Sequence, residues 1–217
     1  MQNSKKAENS IGTIIAIALK LLVICAFIAT LVASVNFLTK DRIALNQKTA
    51  AAEALSDIYS ADGLFFSVDQ TGAFAVSDTQ GNPVGSCEKA ETELMKDIDA
   101  VYVIKKTNGK VFGYCVEASP MGFKNEVGVL VAVNSDASAK DVQIISLSDT
   151  KGIGDKVMLP EFLEKFAGKK SGFSKSESYM KDIIIAGATR TSKPVTVAVD
   201  TALEQIKTMI DGGAENE

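Results

Sequence analysis

Histidine is absent from this 217-residue sequence, and cysteine occurs only three times. Histidine is the usual general base near neutral pH and the commonest zinc and haem ligand in proteins. Its absence excludes a histidine-based catalytic triad. No CxxC pair, Walker phosphate loop or GxGxxG turn occurs in the chain. Any redox chemistry would therefore need an organic cofactor.

Basic surface and paired cysteines are also scarce. The net charge is −4, and charges of both signs are interspersed, so no basic face is available to neutralise nucleic-acid phosphates. We therefore expect no nucleic acid among the partners. Cys25 lies in a hydrophobic run, which leaves Cys87 and Cys115 as the only pair able to form a disulfide. The sequence leaves that pairing open.

One long hydrophobic run is present, from Ile11 to Leu38, and Lys20 is its only charged residue. About 20 apolar residues suffice to cross a bilayer as a helix. The sequence therefore predicts a transmembrane helix over residues 11–39, with Lys20 extending toward the nearer interface. A cleavable signal peptide is the alternative, since a short basic region precedes the run and small residues such as Ala33 and Ser34 lie near its end. The length of the run favours a retained helix.

Positively charged residues flank this run on both sides. They are Lys5, Lys6 and Lys20 on the N-terminal side, and Lys40, Arg42 and Lys48 on the other. The positive-inside rule gives little contrast here, but residues 1–10 are too few to fold, whereas the globular part follows the run. We expect a single-pass protein of the inner (cytoplasmic) membrane, with residues 1–10 as a short cytoplasmic tail and an extracytoplasmic soluble domain.

The first part of the soluble portion is expected to combine a helix with short strands. Residues 39–59 carry alanines and leucines at helical spacing, which predicts a helix leaving the bilayer. Residues 60–100 are rich in Gly, Ser, Asp and Thr, with apolar pieces at 63–68 and 74–76 that indicate small strands between turns. We assign residues 40–100 to this membrane-proximal helix and the N-terminal part of the soluble domain.

Two strand pairs follow. Val101–Ile104 and Val111–Val116 are separated by a stretch that contains Asn108-Gly109, the pair best suited to a tight hairpin turn. Val127–Val133 and Val142–Leu147 form the second pair.

Four such strands can form one antiparallel sheet with helices on a face. The fold class expected is α+β: one N-terminal transmembrane helix followed by a single domain of antiparallel sheet plus helices. We place the second part of that domain at residues 101–211 and treat residues 212–217 as a flexible tail.

A loop with closely spaced glycines runs from Ser148 to Lys156. Gly152 and Gly154 would let a flat ligand approach the backbone closely. An ordinary connecting loop is the alternative, because glycine pairs are common in loops. A short helix is predicted next, around Pro160–Phe166.

The segment Asp182–Pro194 begins with an apolar strand, by its pattern, and ends in turn and cap residues. A helix is predicted immediately afterwards, with Pro194 in its first turn and Ser192 as N-cap. Apolar residues keep helical spacing along it, namely Val195, Val199, Leu203, Ile206 and Ile210.

This arrangement places Thr189 just ahead of a helix N-terminus, where free backbone N–H groups and the helix dipole favour an anion such as phosphate. Arg190 and Lys193 would add positive charge beside it. A simple strand-turn-helix corner, in which Gly187 supplies the backbone angle and Thr191 or Ser192 caps the helix, explains the same residues.

The residues Gly187-Ala188-Thr189-x-Thr191-Ser192, followed by a helix, resemble the flavinylation motif of the FMN-binding domain in the RnfG and NqrC subunits of bacterial ion-translocating oxidoreductases. In that family the threonine of Gly-Ala-Thr carries FMN through a phosphoester bond, which the resemblance transfers to Thr189. The upstream Asp149-Thr150-Lys151-Gly152-Ile153-Gly154 is similar to the family's Glu-Thr-Pro-Gly-Leu-Gly, and Lys156 and Pro160-Glu161-Phe162 also match.

The resemblance implies a set of cofactor-binding residues around covalent FMN on Thr189. They are Asp149, Thr150, Gly152, Ile153, Gly154, Lys156, Gly187, Ala188, Arg190, Thr191 and Ser192. No catalytic residue and no metal ligand is implied. The compact length favours RnfG over the longer NqrC.

The family relationship implies an electron-transfer subunit of a membrane-bound, Rnf-type complex that moves Na+ or H+. Its partners would be the other membrane subunits and an ApbE-like flavin transferase. Four positions depart from the family pattern: Ala186 replaces Ser or Thr, Ile183 an acidic residue, Lys151 proline and Asp149 glutamate. The changes at Ile183 and Ala186 leave open a flavin-free bitopic structural or assembly subunit. A stand-alone extracytoplasmic flavinylated carrier is the other alternative.

Overall fold

The computed structural model describes the backbone of residues 2–69, 71–148, 152 and 154–214, and within those ranges the side chains from residue 16 to residue 212. The chain divides into two compact units, residues 1–46 and residues 47–217.

Helix α1 spans Gln2–Tyr59. Among the described residues it is the one helix long and apolar enough to cross a membrane, and its apolar side chains in the first unit are exposed, as Leu22 (64%) and Phe27 (67%) illustrate. The segments predicted as transmembrane and membrane-proximal helices are thus both helical and belong to one continuous helix. Residues 2–10, which we expected to be an unfolded tail, are helical, because they include good helix formers and contain no glycine or proline.

The second unit is built on a seven-stranded antiparallel sheet in which every strand pairs with its neighbours in sequence. The strands are β1 (Phe65–Val68), β2 (Phe74–Ser77), β3 (Pro83–Lys89), β4 (Ile98–Lys106), β5 (Val111–Ala118), β6 (Val127–Asn134) and β7 (Ala139–Leu147). The two predicted pairs, β4–β5 and β6–β7, are confirmed, and Gly109 has the positive φ of 78° that its turn requires. Strand β3 was not predicted, because its sequence has no apolar alternation.

Apolar layers cover both faces of the sheet, not one. Along β6, Val127, Val129 and Val131 belong to one buried cluster, whereas Leu130 and Ala132 belong to the other. The first cluster contains the C-terminal helices, and the second contains the α1 residues Ala51, Ala52, Ala54, Leu55 and Tyr59. The sheet is therefore a central layer, which holds the segments at its edges in fixed positions.

In the described residues after the sheet, the α-helices are α2 (Pro160–Leu163), α3 (Glu177–Ile183) and α4 (Thr189–Ala214). A 3₁₀ turn over Glu164–Phe166 extends α2, as the predicted short helix requires.

Two sequence-based predictions in this region are wrong. The apolar stretch after Asp182 is not a strand: helix α3, capped by the Ser176 hydroxyl, runs to Ile183, whose side chain is buried in the first cluster. Helix α4 does not start after an N-cap at Ser192 but at Thr189, because the Ala188 carbonyl accepts hydrogen bonds from the N–H groups of Thr191 and Ser192 and closes the first turn there. Ser192 is consequently not an N-cap.

Cys87 and Cys115 are buried and free. They lie on β3 and β5, the two strands that flank β4, and oppose Ile104 and Tyr102 respectively. Two strand spacings, about 9.5 Å, exceed the Cα separation of about 7 Å that a disulfide tolerates. The sheet register therefore keeps the two thiols apart.

Candidate functional site

The turn between α3 and α4 is held by hydrogen bonds on both sides. Gly187 has φ 81°, and the next residue, Ala188, is 2% exposed and donates its N–H to the Ile185 carbonyl at 3.0 Å. The buried Ser192 hydroxyl accepts the Ile185 N–H at 3.2 Å and donates to the Ala188 carbonyl at 3.0 Å. One hydroxyl therefore links the chain before the turn to the first turn of α4.

Thr189 is exposed and is the first residue of α4. The first N–H groups of a helix lack intrahelical partners, and the dipole places partial positive charge there. Because α4 is 26 residues long, its N-terminus favours an anion attached to, or bound beside, the Thr189 hydroxyl.

A cavity of about 340 Å³ adjoins this residue, lined by residues 187–191 and by Phe123. The Phe123 ring comes from the loop between β5 and β6 and is 43% exposed. The guanidinium carbon of Arg190 lies 5.4 Å from the centroid of that ring, within the range of a cation–π contact. Phe123 was not predicted from the sequence; the available signal was a phenylalanine that follows Gly122 outside the predicted strands.

The glycine-spaced loop meets the same turn through Lys156. The Lys156 Nζ lies 3.7 Å from the position that a Cβ atom would take on Gly187. Lys156 belongs to a 3₁₀ turn over Gly154–Met158, in which Gly154 is buried. Gly152, with φ 79°, donates its N–H to an Asp155 carboxylate oxygen at 3.0 Å. The loop thus brings the Lys156 ammonium group to the turn.

The structure places most of the sequence-predicted residues. Gly152 and Gly154 lie in the loop that carries Lys156. Gly187, Ala188, Thr189, Arg190 and Thr191 line the cavity, and Lys156 lies close to Gly187. Thr191 and Ser192 have fully buried side chains. Asp149, Thr150 and Ile153 lie outside the described residues.

Two of the departures from the family pattern can be located. Ile183 is 1% exposed and packs in the apolar core, and Ala186 is exposed but does not line the cavity. Neither side chain forms part of the cavity wall.

The segment before α3 is anchored to α4 by Asp200, which is 4% exposed. Its carboxylate accepts hydrogen bonds from the Gly172 N–H at 2.5 Å, the Ser174 N–H at 3.1 Å and the Ser174 hydroxyl at 2.5 Å. Lys165 also donates to the Asp182 carbonyl at 2.9 Å. These contacts position α3 and the turn that follows it.

The strongly raised pKa values in the described part of the chain belong to buried sheet and helix groups, not to the surroundings of Thr189. Burial raises the pKa of the Cys87 thiol to about 12 and that of Cys115 well above its ordinary value. Burial and then the nearby Asp99 raise the pKa of the Glu117 carboxyl. Protonated, buried thiols are poor nucleophiles, so the chemistry of this domain does not centre on cysteine.

Comparison with known families gives two matches. Residues 122–204 match the FMN-binding domain family, and residues 5–58 match the RnfG N-terminal region. The first match includes Phe123, Lys156 and the whole turn around Thr189; the second covers most of α1.

Curated proteins of similar sequence carry related names. Over 51% of this chain and 62% of the relative, the chain is 36% identical to the G subunit of the proton-translocating ferredoxin:NAD(+) oxidoreductase complex of Clostridium ljungdahlii. It is 27% identical, over 94% of this chain and 97% of the relative, to the G subunit of the Na(+)-translocating ferredoxin:NAD(+) oxidoreductase complex of Acetobacterium woodii. Identity is also 27% to the G subunit of the ion-translocating oxidoreductase complex of Methanosarcina acetivorans, over 95% and 97%.

Among solved structures, Shewanella oneidensis NqrC matches 61% of this chain and 78% of its own, at 23% identity and a TM-score of 0.38.

Proposed function

This chain belongs to the RnfG/NqrC family, and we propose that it is the membrane-anchored electron-transfer subunit of an Rnf-type ion-translocating oxidoreductase complex, carrying FMN on Thr189 through a phosphoester bond. The relatives are named as G subunits of such complexes, and the proposed partners of this chain are the other subunits of the complex. The observation that carries the proposal is the exposed Thr189 at the N-terminus of a long helix, beside a cavity, within the matched FMN-binding domain.

The residues present fit FMN at both of its ends. A phosphate on Thr189 would lie at the positive end of α4, with Lys156 Nζ close to the preceding Gly187. The cavity has a volume in the range of known small-molecule sites, which begins near 300 Å³, and Phe123 offers an aromatic wall to a flat ring. Glycine at position 187 readily adopts the positive φ of the turn that exposes the hydroxyl.

The attachment step requires an activated flavin phosphate, since displacement of hydroxide from FMN itself is unfavourable. A flavin nucleotide in which FMN is joined by a phosphoanhydride would supply the donor. The Thr189 oxygen would then form the bond to phosphorus, and the other nucleotide would leave with the electron pair of the broken anhydride P–O bond. The threonine proton passes to a base of the ApbE-like transferase, because Thr189 has no histidine neighbour to take it.

Bound FMN would supply reversible electron transfer, and the chain would supply attachment, position and electrostatics. The turn around Gly187 holds the attachment point, the sheet and α4 keep it in place, and Phe123 covers part of the cavity. No side chain of this domain needs to act as an acid, base or nucleophile in electron transfer.

The flavin-free alternative depends on the departures at Ile183 and Ala186. The buried position of Ile183 argues against it: an apolar residue there stabilises the core, and its replacement of an acidic residue leaves the cavity wall unchanged. The stand-alone carrier differs from the proposed subunit in a single property, which is whether the protein copurifies with multi-span membrane subunits after mild detergent extraction.

We also propose that α1 crosses the inner membrane with a cytoplasmic N-terminus and an extracytoplasmic domain. The chain suits a labelling test once Cys25, which is exposed on α1, is replaced by serine, because Cys87 and Cys115 are buried and have raised thiol pKa values. A cysteine placed at Lys110, exposed in the β4–β5 turn, should react with an impermeant maleimide in spheroplasts, whereas one at Ser4 should react only after lysis. The reverse pattern would invert the topology.

The proposed function is tested by expressing the full chain together with a flavin transferase and recording flavin fluorescence of the denatured band. Wild-type protein should fluoresce and Thr189→Val should not. Thr201→Val is the matched control, since Thr201 lies on the same helix with its hydroxyl bonded to the Val197 carbonyl at 2.9 Å; it should remain fluorescent. A dark wild-type band, with the transferase active on another substrate, would favour the flavin-free subunit.

A further inference from the structure

Arg190 lies where it can act on the electron chemistry of the site as well as on its phosphate. Resting on the proposed function, we propose that Arg190, held against Phe123, stabilises the negative charge of the reduced flavin and thereby raises its reduction potential.

The position of the guanidinium is defined by an aromatic contact. Arg190 is the second residue of α4, and its guanidinium carbon lies 5.4 Å from the centroid of Phe123. Both residues line the cavity beside Thr189. A planar guanidinium stacks on an aromatic face, and this contact restricts a side chain that is otherwise exposed and rich in rotamers.

Lys156 and Arg190 lie toward different parts of the turn. Lys156 Nζ is close to Gly187, two residues before the attachment point, and so is suited to the phosphate. Arg190 points to Phe123, which is the described lining residue contributed by a distant part of the chain. A flat ring attached through Thr189 and packed on Phe123 would therefore have Arg190 as its cationic neighbour.

Reduction changes the charge of the flavin ring, so a cation beside the ring affects its reduction potential. Two electrons and one proton convert the neutral oxidised isoalloxazine into a ring that carries one negative charge at neutral pH. The electrons come from a neighbouring redox centre in the complex, or from a chemical reductant in a titration. A fixed cation favours the charged form over the neutral one. At roughly 6 Å and an effective dielectric constant of about 40, one unit charge changes the ratio of reduced to oxidised flavin by about tenfold.

The test measures the midpoint potential of the full-length, flavinylated protein in detergent, by spectroscopic titration with dithionite and redox mediators. Arg190→Gln should lower the potential, so that about tenfold less reduced flavin is present at a given applied potential. Phe123→Leu, which keeps Arg190 but removes its aromatic contact, should lower it by a smaller amount. Lys207→Gln removes a charge from an exposed position farther along the same helix that does not line the cavity, and should leave the potential unchanged.

Arg190→Lys separates charge from stacking and should give a potential between those of wild type and Arg190→Gln. A loaded Arg190→Gln protein with the wild-type potential would overturn the inference while leaving the proposed function intact. An Arg190→Gln protein that takes up no flavin, when Arg190→Lys does, would assign the charge to attachment and would also overturn it. Absence of flavin from the wild-type protein would instead refute the proposed function itself.

Discussion

Ser192 links the turn before α4 to the first turn of that helix, and its replacement by alanine tests whether this link presents Thr189. The hydroxyl makes two hydrogen bonds, to the Ile185 N–H and the Ala188 carbonyl, and is fully buried. Each such bond contributes about 0.5–1.5 kcal/mol net, so we expect Ser192→Ala to lower the free energy of unfolding by about 1–3 kcal/mol. That is less than the total stability of a typical domain, and the variant should still fold.

The tyrosines offer an assay that reports on the soluble domain alone. The chain has no tryptophan, and its tyrosines are Tyr59, Tyr102, Tyr114 and Tyr179, all in the second unit. Thermal unfolding followed by tyrosine fluorescence should show a melting temperature lower by about 4–8 °C for a 2 kcal/mol loss in a domain of this size. Flavin loading of Ser192→Ala should fall below that of wild type, because the attachment turn is less ordered.

Thr196→Val is the matched control for this experiment. Thr196 is also fully buried on α4, but its hydroxyl only donates back to the Ser192 carbonyl at 2.8 Å within the helix. Such a bond adds little to helix stability, so this variant should melt near the wild-type temperature and load fully. If Ser192→Ala and Thr196→Val behave alike in both assays, the proposed link between the hydroxyl and the turn is wrong.

Three further predictions concern the turn, its support and the sheet. Gly187→Ala should lower the free energy of unfolding by about 1–2 kcal/mol, because the φ of 81° at this position suits glycine, and it should reduce flavin loading. Gly212→Ala, where an added Cβ meets open space on α4, should not reduce loading. Equal loading of the two variants would contradict this. Asp200→Asn should lower the midpoint of urea unfolding by roughly 1 M, because the new amide NH2 group would face backbone N–H groups that now donate hydrogen bonds to the carboxylate. An unchanged midpoint would show that the carboxylate charge is not required. Folding raises the pKa of Cys87 to about 12 and also raises that of Cys115. The free energy of unfolding should therefore be unaffected by these thiols below about pH 9 and should fall as the pH rises toward 12, by up to about 1.4 kcal/mol per pH unit for each thiol. A Cys87→Ala, Cys115→Ala double variant that loses stability as steeply would refute that assignment.

Local patterns were sufficient for the elements whose signals are strong over a short stretch. The apolar run in α1, the Asn108-Gly109 turn and the β-rich segments on either side of it all predicted structures that are present. These features depend on periodicity and turn chemistry within a few residues. Strand β3 depends instead on pairing with β2 and β4, which a sequence without apolar alternation does not reveal.

The region before Thr189 shows why short apolar runs are ambiguous. Ile183, Ile184 and Ile185 could belong to a strand or to the end of a helix, since three residues do not define a period. Tertiary packing decides: Ile183 ends α3 inside the core, and the chain then turns at Gly187. Ser192 is of a residue type that often caps a helix, but α4 starts earlier because the Ala188 carbonyl closes its first turn.

The candidate site was predictable where it lies within one segment and not where it depends on the fold. Gly187 and Thr189 were identified from a local motif. Phe123 lies far from them in sequence and reaches the cavity only because the loop between β5 and β6 ends at that edge of the domain. Lys156 approaches the turn through a 3₁₀ segment that contacts α4, and its proximity likewise follows from tertiary structure.

Covalent FMN on Thr189 is the central claim, and peptide mass spectrometry tests it most directly. Trypsin cleavage after Lys181 and Arg190 releases Asp182–Arg190, in which Thr189 is the only hydroxyl-bearing residue. In protein coexpressed with the transferase, this peptide should be heavier by FMN less one water, and fragmentation should place the added mass on Thr189. An unmodified peptide, or flavin recovered on another peptide, would contradict the account.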